Sequence, residues 1–472
     1  MYNRKVVRLG RGESFQAEKG ERSVGEGAAR EDLRARILRL AWPAIVENLL
    51  HTMVGIVDTA MVGRLGAAAL ASVGLGNQIN QLGLTVFSAL ATGSTALVAR
   101  HIGAEEPERA RDVARQSLIL GLFVSGTVMI VFLSLARVLL GWLFRRSEAA
   151  VLDAASGYVR IIAVAMILNY FLIVINAILR GAGDTKTPMQ ITALVNVVNI
   201  IGNTIFIYGV GPVPALGVAG AALGTAVAQA VGGVLALRVL FRSELLKIRI
   251  TDSFRPDLTI IRRIANIGVP AGVEQGMMRV GQLFYTMIIS SLGTVSYAAH
   301  QVALNAESLS FMPGAGFATA STTLVGQNLG AQRLDDAERA GRITRNVGAA
   351  VMSAMGLVFL LIPEPIVRIF SSDPEVVALA VACLRLVGIA QPSLAIWMIL
   401  AGGLRGAGDT KAIMKMVMVS FLGVRVSMAY LLAIRLELGL IGAWIAMVLD
   451  LFLRSVLIQW RFNKGKWKFV KV

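Results

Sequence analysis

Residues 179–186 read LRGAGDTK, and residues 404–411 read LRGAGDTK again. A polar octapeptide repeated letter for letter marks a duplicated chain, and its two copies set the register for everything around them. Moving outward toward the N-terminus, Pro43 meets Pro270, Glu47 meets Glu274, and Leu65-Gly66 meets Leu292-Gly293. The run ATGSTALVARHIGA from Ala91 meets ATASTTLVGQNLGA from Ala318, and LGVAGAAL from Leu216 meets LGLIGAWI from Leu438. The offset shortens slowly along the chain, which is the trace of small loop deletions between two copies of one unit. The octapeptide is not a phosphate loop, because Asp and Thr separate its last glycine from the lysine. Its glycines suit the left-handed end of a helix and its Asp and Thr suit the cap of the next. The expectation is therefore a turn, with no chemistry of its own.

The chain has 472 residues, 56% hydrophobic and only 16% charged, against about 25% charged in soluble domains. A spanning helix needs about 20 mostly apolar residues. Twelve such stretches are present, starting near residues 40, 68, 117, 157, 189, 216, 264, 297, 344, 376, 413 and 438. The expected fold is an all-α membrane protein of two six-helix bundles. An even number of spans per half gives both halves one orientation, hence a pseudo-two-fold axis along the membrane normal. Parallel repeats of this kind build secondary transporters, with the site in the crevice between halves.

The reading divides the chain into a polar basic tail (1–35), a first lobe (36–242), a linker (243–262), a second lobe (263–462) and a basic tail (463–472). The first tail lacks the apolar core of a signal peptide, and reads as a disordered tail or a start placed too early. The net charge of +17 does not indicate nucleic acid, because most lysines and arginines fall on the side of the spans that holds both termini. That asymmetry places the termini and the linker in the cytoplasm. With one cysteine and three histidines, and no nucleophile, zinc or P-loop motif, the chain offers little to an enzyme or a metal centre.

Ionisable residues inside spans are functional candidates by default. At 100° per residue, His51 and Asp58 lie within about 40° of Glu47 on span one. Such a column suits proton or cation exchange; a polar network that only fixes helix packing is the alternative. Asn196, Asn199 and Asn203 form an amide stripe on span five, and Thr225 on span six is a further oxygen ligand. Span seven puts Glu274, Met278 and Tyr285 on one face, with Tyr285 at the repeat position of Asp58. His300, Glu307 and Phe311 share a face of span eight. Asp450 and Arg454 are spaced for an intrahelical ion pair, and with Arg425 they read as a buried triad.

At these residues the sequence resembles the multidrug and toxic compound extrusion family, of its bacterial NorM-like and DinF-like kind. The carriers are WPAIVENLLHTMVGIVDTAMVGRLG, AAHQVALNAESLSFMPGAGFATASTTLVGQNLGA and the two RGAGDTK turns, and the likeness covers the chain after residue 35. The resemblance implies a V-shaped pair of bundles in the plasma membrane of a bacterium or archaeon. It implies a monomer that exports organic, mostly cationic compounds in exchange for H+ or Na+, with no cofactor besides that ion. The family's cation site falls on Asp58, Asn199, Asn203 and Thr225, and its second-lobe acid on Glu274. Two positions depart from the family pattern: Asn203 stands where an Asp is frequent, and Leu394 where some members carry an acid. A flippase of lipid-linked precursors, from the same superfamily, is the alternative function.

Overall fold

The computed structural model describes residues 13–145, 147–243 and 255–472, with side chains from residue 33 onward. Residues 1–12 of the first tail and 244–254 of the linker lie outside the described residues. The chain is helical almost throughout, and an isolated bridge between Val210 and Val213 is the one β contact among the described residues.

The first lobe holds α1 (Glu13–Gly63), α2 (Ala67–Gly103), α3 (Pro107–Leu143), α4 (Ala149–Ala182), α5 (Lys186–Tyr208) and α6 (Gly217–Arg242). The second holds α7 (Leu258–Ser290), α8 (Thr294–Gly330), α9 (Leu334–Leu361), the short α10 (Pro363–Arg368), α11 (Pro374–Gly406), α12 (Thr410–Arg435) and α13 (Gly439–Asn463). Helix α1 already runs through residues 13–35, so that part of the expected tail is regular structure. Ten of the helices contain a window long and apolar enough to cross a membrane. Helices α7 and α8 match them in length, but they are diluted by polar side chains and carry Pro270 and Pro313 inside. Several helices begin well before the apolar stretch that announces them: α3 opens with PERARDVARQ, a charged amphipathic turn outside the hydrocarbon.

The duplication is written into the backbone. Helices α2 and α8 are each 37 residues long, and each is preceded by a glycine of nearly equal φ, 107° at Gly66 and 104° at Gly293. Each ends in a non-glycine residue forced into the left-handed region, Glu105 at 58° and Gln332 at 60°. The octapeptides close α4 and α11 identically. The amide of Gly183 bonds the Arg180 carbonyl and that of Asp184 the Leu179 carbonyl; Gly408 and Asp409 repeat the pattern on Arg405 and Leu404. The positive φ of Gly183 (100°) and Gly408 (79°) makes glycine the fitting residue there.

In the first lobe α4 is central, packed on α2, α3 and α6, with α5 between α1 and α6. In the second α11 takes that place, packed on α8, α9 and α13. The lobes join through α2 against α7 and α8, and α1 against α8. This joint is also two-fold: Gly268 sits on the Ala89 carbonyl, and its counterpart contact sets Gly316 on the Ala41 carbonyl. One departure from symmetry stands out. Helix α12 leaves α geometry over Met418–Val426 and again over Tyr430–Arg435, where it is wound as a π-helix, while its counterpart α5 is α-helical throughout.

Candidate functional site

The first lobe encloses a cavity of about 410 Å³ between α1, α2, α4, α5 and α6. Glu47, His51, Val54 and Asp58 line it together, so the column read from span one does face one space. At its far end runs a chain of polar contacts. The Asn203 amide donates to Asp58 Oδ1 at 2.7 Å and to Asn199 Oδ1 at 3.2 Å; the Asn199 amide reaches Thr225 Oγ1 at 3.4 Å. The four residues assigned by resemblance to a cation site are thus brought into one cluster. Asn196, from the same stripe, ties α5 to the Leu50 carbonyl of α1 at 2.7 Å. Because Asn203 donates to Asp58, the ionised carboxylate is satisfied without a shared proton; two acids here would need one proton or a cation between them.

Residues that sequence reasoning missed complete this wall. Asn169, Asn176 and Gln229 also line the cavity, and the Asn176 Oδ1 and Gln229 Oε1 atoms are buried with no donor opposite them. Carbonyl oxygens without donors beside a carboxylate are the ligand type that hard cations and water take. Amides on α4 and α6 in otherwise apolar runs were the available signal. No group of three metal-ligating His, Cys, Asp or Glu side chains occurs among the described residues.

At the other end of the column, Glu47 is 4% exposed and accepts a hydrogen bond from Arg180 at 2.8 Å. Arg180 belongs to the first octapeptide. In the second lobe Glu274, 1% exposed, accepts from Arg405 of the second octapeptide at 2.6 Å. The expectation that the octapeptide only turns the chain is corrected here. The turn is real, but each copy also sends its arginine into its own lobe to neutralise the repeated glutamate. Two duplicated motifs of opposite charge, 133 positions apart in one half and 131 in the other, were the sign of it in the sequence.

The second lobe has a smaller-walled cavity of about 420 Å³ between α7, α8 and α12. Met278 and Glu307 line it, with Phe311 on the same face as Glu307. Tyr285, at the position of Asp58, is not among the cavity-lining residues; it is fully buried and donates to the Ala443 carbonyl at 2.8 Å. His300 is fully buried too, edge-on to Tyr285 and Trp444, with both ring nitrogens unpartnered. The expected triad of Asp450, Arg454 and Arg425 is unequal. Arg454 grips both Asp450 oxygens, at 2.9 and 2.7 Å, and also Ser420 at 3.0 Å. Arg425 stands 3.9 Å from Asp450 and rests on the faces of Phe421 and Tyr285.

The lobes are sealed to each other at the octapeptide end. Arg100 of α2 donates to the Ala407 carbonyl at 2.9 Å, and Gln327 of α8, its repeat counterpart, donates to the Gly181 carbonyl at 3.2 Å. Thr323 adds a 2.7 Å bond to the Arg180 carbonyl. Between them, α2 and α8 come so close that a Cβ on Gly103 would fall 1.9 Å from the Gln327 carbonyl oxygen, and one on Gly330 1.9 Å from that of Arg100. Each octapeptide therefore answers to both lobes, through its arginine to its own and through its carbonyls to the other.

Comparison with known proteins agrees with this architecture. The MatE family model matches residues 43–205 and 270–431, once per lobe. The chain is 33% identical to the probable multidrug resistance protein NorM of Thermotoga maritima over 93% of this chain and 94% of that one. It is 27% identical to the uncharacterized transporter YisQ of Bacillus subtilis over 91% and 94%. Among solved structures it resembles a multidrug resistance MATE family transporter of the MOP superfamily in an outward-facing conformation. The TM-score is 0.85 at 25% identity, covering 91% of this chain and 96% of the other. With one matched segment per lobe, twelve long helices and a polar cavity in each half, the chain belongs to the MatE family of multi-pass membrane transporters.

Proposed function

We propose that this protein is a secondary active efflux antiporter for organic, mostly cationic compounds, driven by inward H+ or Na+ through alternating access. The observation that carries the reading is Asp58. It is the one carboxylate of the first-lobe cavity with no cation beside it, since Glu47 is paired with Arg180. A desolvated carboxylate among amide oxygens binds a proton or a metal cation and changes its charge when it does so.

The octapeptide face is the cytoplasmic one on this reading, because the positive-inside rule puts the lysines and arginines there. The seal between the lobes at that face supports an outward-facing assignment on this reading, the state in which the similar transporter is described. Ion binding at Asp58 would alter its bond to Asn203 and the fit of α1 against α5. Helix α1 carries Pro43 and Glu47, and Glu47 holds Arg180, whose carbonyl is bonded across the joint by Thr323. That is a continuous physical link from the ion site to the seal. The ion shifts the equilibrium only by its different affinity for the two states.

The test is efflux of ethidium from proteoliposomes under an imposed proton gradient, then under a sodium gradient at fixed pH. The expected result is efflux driven by one of the two and lost in Asp58→Asn. Gradient-driven efflux at the wild-type rate in that variant would exclude the assignment.

A further inference from the structure

We infer that the second-lobe cavity is an anion subsite, which takes the carboxylate of an aromatic acid or zwitterion on Arg425 and Arg279. Its charges do not balance. Arg279 and Arg425 line it with one acid, Glu307, and behind them a third arginine, Arg454, meets the second acid, Asp450. Arg454 consumes both oxygens of Asp450. Arg425, whose side chain is 11% exposed, stands 3.9 Å from that same carboxylate and shares the cavity wall with Glu307, and its Nε is buried without a partner. Arg279 is exposed to the cavity and its one hydrogen bond is a 3.5 Å contact to Gln81.

The geometry around Arg425 is that of a presented group. Its guanidinium carbon lies 4.8 Å from the centre of the Phe421 ring and 4.9 Å from that of Tyr285, which holds the group in place between the two rings. A planar, always-charged fork of this kind is matched by a carboxylate. It also stands on the π-helical stretch of α12, and local π winding is frequent at functional sites. Phe311, Phe421 and Met278 supply flat and adaptable apolar walls, so the acid would be carried on an aromatic body. Gln81 lines the first-lobe cavity and touches Arg279, so the two cavities adjoin. A zwitterion can place its cation toward Asp58 and its acid toward Arg425. This deepens the transport reading, on which it rests for the identity of the ligand as cargo.

The experiment is equilibrium binding by fluorescence anisotropy to purified full-length protein, with no gradient, so that a failure of coupling leaves it untouched. The probes are rhodamine 110, a zwitterion with a free benzoate, and rhodamine 123, its methyl ester and a plain cation. A charge-assisted carboxylate–arginine contact predicts about a tenfold preference for the acid in the wild type. That ratio should fall toward one in Arg425→Gln and in Arg279→Gln, whatever happens to the ester's own affinity. Arg279 is exposed, so its variant decides the question if the other does not fold. A wild type without preference, or a preference kept in every folded variant, overturns the proposal. So does a wild-type preference erased by phosphatidylglycerol nanodiscs but not by phosphatidylcholine ones, which would give the arginines to a lipid headgroup.

Discussion

The two lobes share a backbone and differ in charge. Their turns coincide down to single φ angles, 56° at Gly217 and 57° at Gly439 among them. Their glutamates are neutralised by the same arginine of the same octapeptide. Yet where the first lobe has Asp58 hydrogen-bonded to Asn203, the second has Tyr285 bonded to a backbone carbonyl. Where the first cavity has a carboxylate without a cation, the second has two arginines against one carboxylate, Glu307. The difference teaches that duplication preserved what sets the joint and the turns, while a few buried side chains divided the chemistry. The shared charges pair off within each lobe, and on the proposed function the unshared ones would carry the specificity.

The sharpest way to break this comparison is to exchange its unshared members for neutral isosteres. Asp58→Asn should lower gradient-driven ethidium efflux to the leak rate of empty liposomes. Tyr285→Phe, at the equivalent position, removes a hydroxyl bonded to Ala443 and should keep coupling, at a cost of about 0.5–1.5 kcal/mol for the lost hydrogen bond, since the Ala443 carbonyl stays within the helix ladder. Loss of coupling in Tyr285→Phe, with Asp58→Asn still coupled, would reverse the division of labour.

The shared pairs should fail by stability. Removing one partner of a buried ion pair costs about 3–5 kcal/mol, because the other charge is stranded. Arg405→Gln strands Glu274, whose second oxygen already lacks a partner, and Arg180→Gln strands Glu47. Arg405→Gln should therefore lower the thermal midpoint in detergent more than Arg180→Gln does. The double variants Glu274→Gln/Arg405→Gln and Glu47→Gln/Arg180→Gln should each recover most of their loss. A double variant as unstable as its single would show that the arginine acts through something other than the glutamate.

Much of this was legible in the sequence, for physical reasons that also mark where legibility stops. Ten of the twelve long helices follow from hydropathy, α7 and α8 follow from the repeat, and the repeat follows from LRGAGDTK. The face shared by Glu47, His51 and Asp58 follows from the helical period, which needs no tertiary information. The cation cluster of Asp58, Asn199, Asn203 and Thr225 came from resemblance; composition alone left the amides open between ligation and helix packing. The arginines of the octapeptide were missed because a turn reading accounts for every residue locally, and their partners lie 133 and 131 positions away. The unequal triad was missed because spacing pairs Asp450 with Arg454 but says nothing about whether Arg425 arrives at 2.7 or 3.9 Å. The π winding of α12 has no counterpart in any pattern of apolar residues. Helix lengths were underestimated wherever, as in α3, the helix continues out of the hydrocarbon on charged turns.

The joint offers a test of the symmetry itself. Gly103→Ala and Gly330→Ala each drive a methyl against a backbone carbonyl, which cannot rotate away as a side chain would. Overpacking of this kind costs about 1–3 kcal/mol. Because the two contacts are related by the repeat, the variants should lose similar amounts. Both should also open the octapeptide face, read as faster labelling of a cysteine placed at Thr323 from that side. Strongly unequal losses would mean that the joint is held by one lobe and merely tolerated by the other.

The smallest effects belong to the two copies of one aspartate. Asp184 caps its own next helix by accepting from the Thr187 amide at 3.0 Å. Asp409 is buried and also accepts from Arg461, at 2.7–2.8 Å, an arginine for which Asp184 has no counterpart among the described contacts. Asp184→Ala should thus cost about 1 kcal/mol, the ordinary loss of an N-cap. At Asp409 burial pushes the pKa up from the usual carboxylate value, while the bond and charge of Arg461 pull it back down. The folded state therefore holds this proton more readily than the unfolded chain. It gains relative stability from this group as pH falls below the raised value, and the gain levels off below the unfolded one. Asp409→Asn mimics the protonated form, so it should be nearly neutral at pH 7 and should flatten that rise in the thermal midpoint on acidification. A loss at pH 7 larger than that of Asp184→Ala would show the Asp409–Arg461 pair to be net stabilising, and would make the second octapeptide the more rigid of the two.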